Sequence, residues 1–152
     1  MKQLIQLTKP VSRRFIETKP KAGRDLAFVS HANVTQLLLA AVGPHNWSKV
    51  RDSDIFDKDG NLEAQVWRLE VHIDGRWTVV ESTGDYDGPS NNKSQGFRGQ
   101  CIEANSYRRC AEKLGCCLEL WVDGGQGTGL YVLHDHLIKQ QQEIEGGSND
   151  SE

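Results

Sequence analysis

SQGFRGQCIEANSYRRCAEKLGCCLELW, residues 94–121, decides the fold of this chain. Phe97, Ala104, Tyr107, Cys110, Ala111, Leu114, Leu118 and Trp121 recur at helical spacing, which predicts one long amphipathic helix. Its polar side is basic. Arg109 and Lys113 lie one turn apart on one face, and Arg98 and Asn105 extend that stripe towards the N-terminus. Arg108 precedes Glu112 by one turn, an arrangement that supports an ion pair worth about 0.2–0.5 kcal/mol. Gly115 in a helix interior costs about 1 kcal/mol against Ala, so it marks either close packing on a strand or a helix end or kink.

Upstream lie three strand candidates. Residues 47–56 form the first, and Asp59-Gly60 is a hairpin signal. In residues 62–73, Trp67, Leu69, Val71 and Ile73 alternate with Arg68, Glu70 and His72, so one face is buried and one is wet. Asp74-Gly75 turns the chain into a third strand, residues 76–83, with Trp77 and Val79 facing one way. The helix at 94–121 is expected to pack on the apolar face of this meander, after a loop at 84–93. Ser30 caps a helix over residues 31–42, with Val34, Leu37, Leu38 and Ala41 as its apolar stripe and Gly43-Pro44 as its stop.

The outer segments are less regular. Residues 1–25 read as a basic, partly ordered arm broken by Pro10 and Pro20. It holds Lys2, Lys9, Arg13, Arg14, Lys19, Lys21 and Arg24 against Glu17 and Asp25. A core domain spans 26–133, with a glycine-rich loop at 122–129 and a short strand at 131–133. Residues 134–152 form a final helix and a flexible acidic tail. The order helix, antiparallel meander, long basic helix is an α+β layer, not a doubly wound sheet.

Composition bounds the function. Net charge is −3, but the basic arm and acidic tail give a local field. The chain has no apolar run that spans a membrane, and MKQLIQLTKPVSRR lacks a proper apolar h-region, so no secretory signal is expected. Its four cysteines lie between Cys101 and Cys117, a poor disulfide framework that suits a reducing compartment, so the cytoplasm is expected. GPSNNKS at 88–94 lacks the glycine that a phosphate loop needs before its lysine, since Asn92 stands there. His134 and His136 are two apart and point different ways on a helix, and the cysteines fit no zinc spacing. No cofactor is expected. A basic helix behind a meander is instead suited to cradling a single-stranded nucleic-acid backbone, because Lys and Arg on phosphates bind without regard to sequence. Tyr86 is a candidate for stacking on bases.

Three stretches, FVSHANVTQLLLAAVGPHNWSKV (28–50), VWRLEVHIDGRWTVVESTGDYDG (66–88) and ANSYRRCAEKLG (104–115), carry a family resemblance. In order and spacing they resemble the Rad-fifty-two family of single-strand annealing proteins and the related phage annealing proteins of the Sak and Erf kinds. The likeness covers residues 15–121. It implies single-stranded DNA binding and ATP-independent annealing of complementary strands in recombination and repair, by a non-enzymatic homo-oligomeric ring. By position, the family's phosphate-binding basic pair falls on Arg108 and Arg109. A further basic position one turn on is Glu112 here, beside Lys113. The basic residue before the first helix falls near Lys19, with Lys21 and Arg24 close by. A lysine linked to a second, outer DNA site falls near Lys93. The resemblance also implies a phage-encoded annealing core in a bacterial host cytoplasm, without the long partner-binding extension of eukaryotic members. Further partners would be a single-strand-binding protein or an exonuclease. Two other readings compete with this one. The first is an interaction or structural module of the same fold with no nucleic-acid role. The second is a small metal enzyme using His134, His136 and the acidic cluster Asp52, Asp54, Asp57 and Asp59.

Overall fold

The computed structural model describes residues 1–21, 23–86, 94–122 and 131–147. The fold is α+β. The chain divides into two compact units, Val42–Leu114 and the segments Met1–Ala41 plus Gly115–Glu152.

The first unit holds α1 (Lys2–Leu7), a 3-10 turn (Arg13–Phe15), strands β1 (Ile16–Lys21) and β2 (Arg24–Val29), and α2 (His31–Val42), whose last residue passes into the second unit. After the second unit, a 3-10 turn at Leu118–Leu120 and helix α4 (Leu133–Gly147) complete it. The first 25 residues are therefore more regular than an arm. β1 and β2 form an antiparallel hairpin, from Ile16 opposite Val29 to Lys21 opposite Arg24. Pro20 is tolerated because both strands of a two-stranded sheet are edges, where a missing N–H need not break a ladder. α2 keeps its expected bounds. Asn33 N donates to Ser30 Oγ at 3.4 Å, Val34 and Leu38 are buried, and Gly43 ends the helix at φ +82°. Three ties join the N-terminal segment to the chain that follows Leu114. Val11 N donates to Glu119 Oε1 at 2.6 Å, and Tyr131 Oη donates to the Thr8 carbonyl at 2.6 Å. Gly115 fits against Thr8, where an added Cβ would lie 2.6 Å from Thr8 Cγ2.

The second unit is the meander with its helix. β3 (Trp47–Phe56), β4 (Leu62–Ile73) and β5 (Arg76–Asp85) pair antiparallel in the order β3-β4-β5. Both hairpin signals act as turns. Asp74 at φ +48° and Gly75 at φ +84° make the two-residue turn whose twist suits the flanking strands. β5 runs two residues beyond the expected end, taking Gly84 and Asp85 from the loop. Helix α3 is Gln95–Lys113. It is shorter than expected, because Gly115 adopts φ +88° and ends the helix instead of sitting within it. Leu118 therefore belongs to the following 3-10 turn, and Trp121 is exposed at its end. Tyr131 and Val132, expected in a strand, lead into α4 without one.

The buried face of the meander is made by Leu69, Val71 and Ile73 of β4, with Ile102, Tyr107, Cys110 and Ala111 buried on α3. The register carries this face onto β5 at Thr78, Val80, Ser82 and Gly84. Trp77 and Val79 share the opposite face and are 61% and 56% exposed.

Candidate nucleic-acid interface

Side-chain size on β5 sets how α3 lies. Thr78, Val80, Ser82 and Gly84 face the helix and become small towards the strand end, which lets the two backbones approach. At Gly84 an added Cβ would sit 2.0 Å from the Ile102 carbonyl oxygen and 2.7 Å from Ser106 N. Ser106, fully buried, donates its hydroxyl to the Ser82 carbonyl at 2.6 Å. The opening of α3 is tied to the β3–β4 hairpin. Ser94 Oγ accepts from Phe97 N at 3.3 Å, and Gln95 Oε1 accepts from Leu62 N at 2.9 Å. Lys49 of β3 pairs with Glu103 and lies over the rings of Trp67 and Tyr107 at 5.4 and 5.3 Å.

This placement spends the basic stripe in a way that helix spacing alone does not reveal. Asn105, Arg109 and Lys113 recur every four residues, a rise of about 6.0 Å. Alternate residues of a strand are about 6.8 Å apart. The two repeats nearly match, so the three side chains meet three successive carbonyls on one edge of β5. Asn105 Nδ2 donates to the Asp85 carbonyl at 2.9 Å, Arg109 Nη1 donates to the Thr83 carbonyl at 2.5 Å, and Lys113 Nζ donates to the Glu81 carbonyl. Arg109 Nη2 also pairs with Asp85 Oδ1 at 2.6 Å. The β5 edge, which an added strand would otherwise use, is thus covered along this stretch by the chain's own helix. The Asp85 partner of Arg109 is invisible to an argument confined to one helix.

The remaining expected residues divide clearly. Arg108, half-buried, donates to Asn105 Oδ1. Arg98 is buried at 7% exposure; its Nε donates to the Leu62 carbonyl at 2.9 Å and its guanidinium lies over Tyr86 at 4.7 Å. That stacking occupies a face of the ring offered for bases. Lys19 and Arg24 lie on the β1–β2 hairpin, Lys19 with its ammonium 5.7 Å from the Phe28 ring centroid and Arg24 exposed opposite Lys21. Lys93 lies outside the described residues, as does the tail beyond residue 147. Arg108, Arg109 and Lys113 are therefore together on α3, and Lys19, Lys21 and Arg24 are together on the hairpin of the other unit. Arg13 and Arg14, further cations of the basic N-terminal segment, sit in the turn entering that hairpin, with Arg14 4.8 Å over Phe15.

Titration adds little chemistry here. Burial pushes the Cys110 thiol up, and burial likewise raises the Glu112 carboxyl against the opposing pull of Lys113 and Arg109. Cys117 is raised by its hydrogen bond with Cys116 and by burial, with the two sulfurs 3.8 Å apart. Among the described residues, no three His, Cys, Asp or Glu side chains converge as metal ligands, and no helix is long and apolar enough to cross a membrane.

No protein-family model and no curated protein sequence matches the chain.

Proposed function

We propose that this chain binds single-stranded DNA through its phosphate backbone and anneals complementary strands without nucleotide or metal, working as a homo-oligomeric ring. The observation that carries the reading is the half-exposed guanidinium of Arg109, set beside Arg108 and Lys113 on a helix laid across a three-stranded meander. This is the element order that the resemblance to the Rad-fifty-two family implies. Arg109 is held by an exposed carboxylate, and such solvated pairs are worth only about 0.2–1 kcal/mol, so a phosphate can replace it. The hairpin cations Lys19, Lys21 and Arg24 supply further charge without sequence preference. Repetition around a ring multiplies a patch that is modest in one subunit. A phage origin and a bacterial cytoplasmic setting belong to the same reading, as do a single-strand-binding protein or exonuclease partner.

The test is annealing of complementary oligonucleotides by the purified protein with chelator present and nucleotide absent. Annealing above the spontaneous rate is expected, together with light scattering of a species several times the 17.0 kDa chain mass. A strict requirement for ATP, or a lone monomer at micromolar concentration, would remove the reading.

A second reading has its own support. Arg109, Lys113 and Asn105 all serve the β5 edge, and Arg98 serves the start of β4, which is what a module with no nucleic-acid role would need. Absence of salt-sensitive binding to any oligonucleotide favours that module.

A further inference from the structure

We propose that Asp85 is a built-in competitor for the phosphate backbone, occupying Arg109 in the free protein and giving it up when DNA binds. The inference rests on the DNA-binding reading and adds a regulatory residue to it. Arg109 presents a two-pronged donor: Nη1 meets the Thr83 carbonyl at 2.5 Å and Nη2 meets the Asp85 carboxylate at 2.6 Å. A guanidinium fork engages a phosphate through the same paired N–H geometry. The prong on Asp85 is thus filled by an anion of the chain itself. Both partners stand in solvent, Arg109 at 39% and Asp85 at 52% side-chain exposure, so neither must be dragged from a buried site for the exchange. Asp85 is also placed to release cleanly. It is the last residue of β5, and its main-chain carbonyl stays held by Asn105 while its carboxylate swings away. Lys113 on the Glu81 carbonyl keeps the next position of the edge covered. The exchange therefore moves one guanidinium and one carboxylate and leaves the helix on the sheet.

The experiment is oligonucleotide affinity of the full chain at one fixed moderate salt, for wild type, Asp85→Asn, Arg109→Ala and the double variant. Asp59→Asn, in the β3–β4 turn at the same end of the sheet, serves as the charge control. Losing a solvated pair's competition should tighten binding by about two- to five-fold in Asp85→Asn. That gain should be absent in the Arg109→Ala background and larger than any gain from Asp59→Asn. Asp85→Asn binding no more tightly than wild type, while Arg109→Ala weakens binding, overturns the competitor role and leaves the DNA-binding reading intact. An equal gain from Asp59→Asn, or one that persists without Arg109, reduces the effect to net charge and also overturns it. No binding by wild type removes both the reading and the inference.

Discussion

Replacing Gly84 with Ala probes the helix–strand contact on which the site depends. A Cβ at this position would lie 2.0 Å from the Ile102 carbonyl oxygen, whereas ordinary contact begins at 3.4 Å, so the gap must grow by 3.4 − 2.0 = 1.4 Å. The two nearest obstructing atoms are main chain and the third is Ser106 Cβ, whose place the main chain fixes, so no side-chain rotation relieves them. The helix must lift from β5, and the 2.6 Å bond from Ser106 to the Ser82 carbonyl then stretches beyond hydrogen-bond range. Overpacking costs about 1–3 kcal/mol and the buried hydrogen bond about 1 kcal/mol, giving a loss of about 2–4 kcal/mol. With a urea slope near 2 kcal/mol/M, the unfolding midpoint falls by about 1–2 M. Gly96→Ala is the matched control. Gly96 lies in the first turn of α3 with nothing within 4 Å of its added Cβ, so the same substitution should stabilise by about 0.4–1 kcal/mol. Equal midpoints for the two variants would refute the close approach of α3 to β5.

Other outcomes follow from individual side chains. Arg98→Ala should lower the unfolding midpoint by an amount equivalent to about 1–3 kcal/mol while leaving the salt dependence of DNA binding unchanged, because its Nε is spent on the Leu62 carbonyl; a reduced salt slope would return Arg98 to the interface. A thiol reagent should label native Cys101 quickly and reach Cys110, Cys116 and Cys117 only on unfolding, since those three are buried and Cys101 is not; mass spectrometry of the labelled peptides reads this directly. Asp57 accepts main-chain and side-chain hydrogen bonds from Asn61 and a main-chain bond from Asp59, and these hold its carboxyl below its ordinary value of 3.8. Its folded pKa is the lower one, so its support of the β3–β4 turn is present above that ordinary value and fades as pH falls through the lowered one. An NMR titration placing Asp57 at or above 3.8 would contradict this.

The meander was legible because three local signals agreed: strict alternation in residues 67–73, and two Asp-Gly turns at 59–60 and 74–75. α2 was legible for the same reason, from Ser30 at its start and Gly43 at its end. The β1–β2 hairpin was not, since IETKPK alternates weakly, carries a proline and buries little, and its pairing with residues 24–29 is a matter of tertiary register. Gly115 is compatible in sequence with a helix end or with close packing on a strand; the helix end occurs, at φ +88°, and the close neighbour is Thr8 at the end of α1, not a strand. The cations of the candidate site were readable as a stripe, but their partners were not. Arg109 meets Asp85 only because β5 extends through Gly84, and that extension is permitted by a glycine whose role is contact with a helix 18 residues further on, at Ile102. The nearly equal steps of four helical residues and two strand residues then bring Asn105, Arg109 and Lys113 onto successive carbonyls.

The most direct test of the account is the affinity of wild type and Arg109→Ala for a mixed-sequence single-stranded oligonucleotide across a salt series. Each phosphate contact contributes about 0.7 to the log–log slope on single strands. Wild type should show a slope of several such contacts with no dependence on sequence, and Arg109→Ala, folded and with native oligomeric state, should bind more weakly at every salt concentration with a slope flatter by about 0.7. Binding that is absent, insensitive to salt, or unchanged by Arg109→Ala would contradict the claim that this helix holds the DNA backbone.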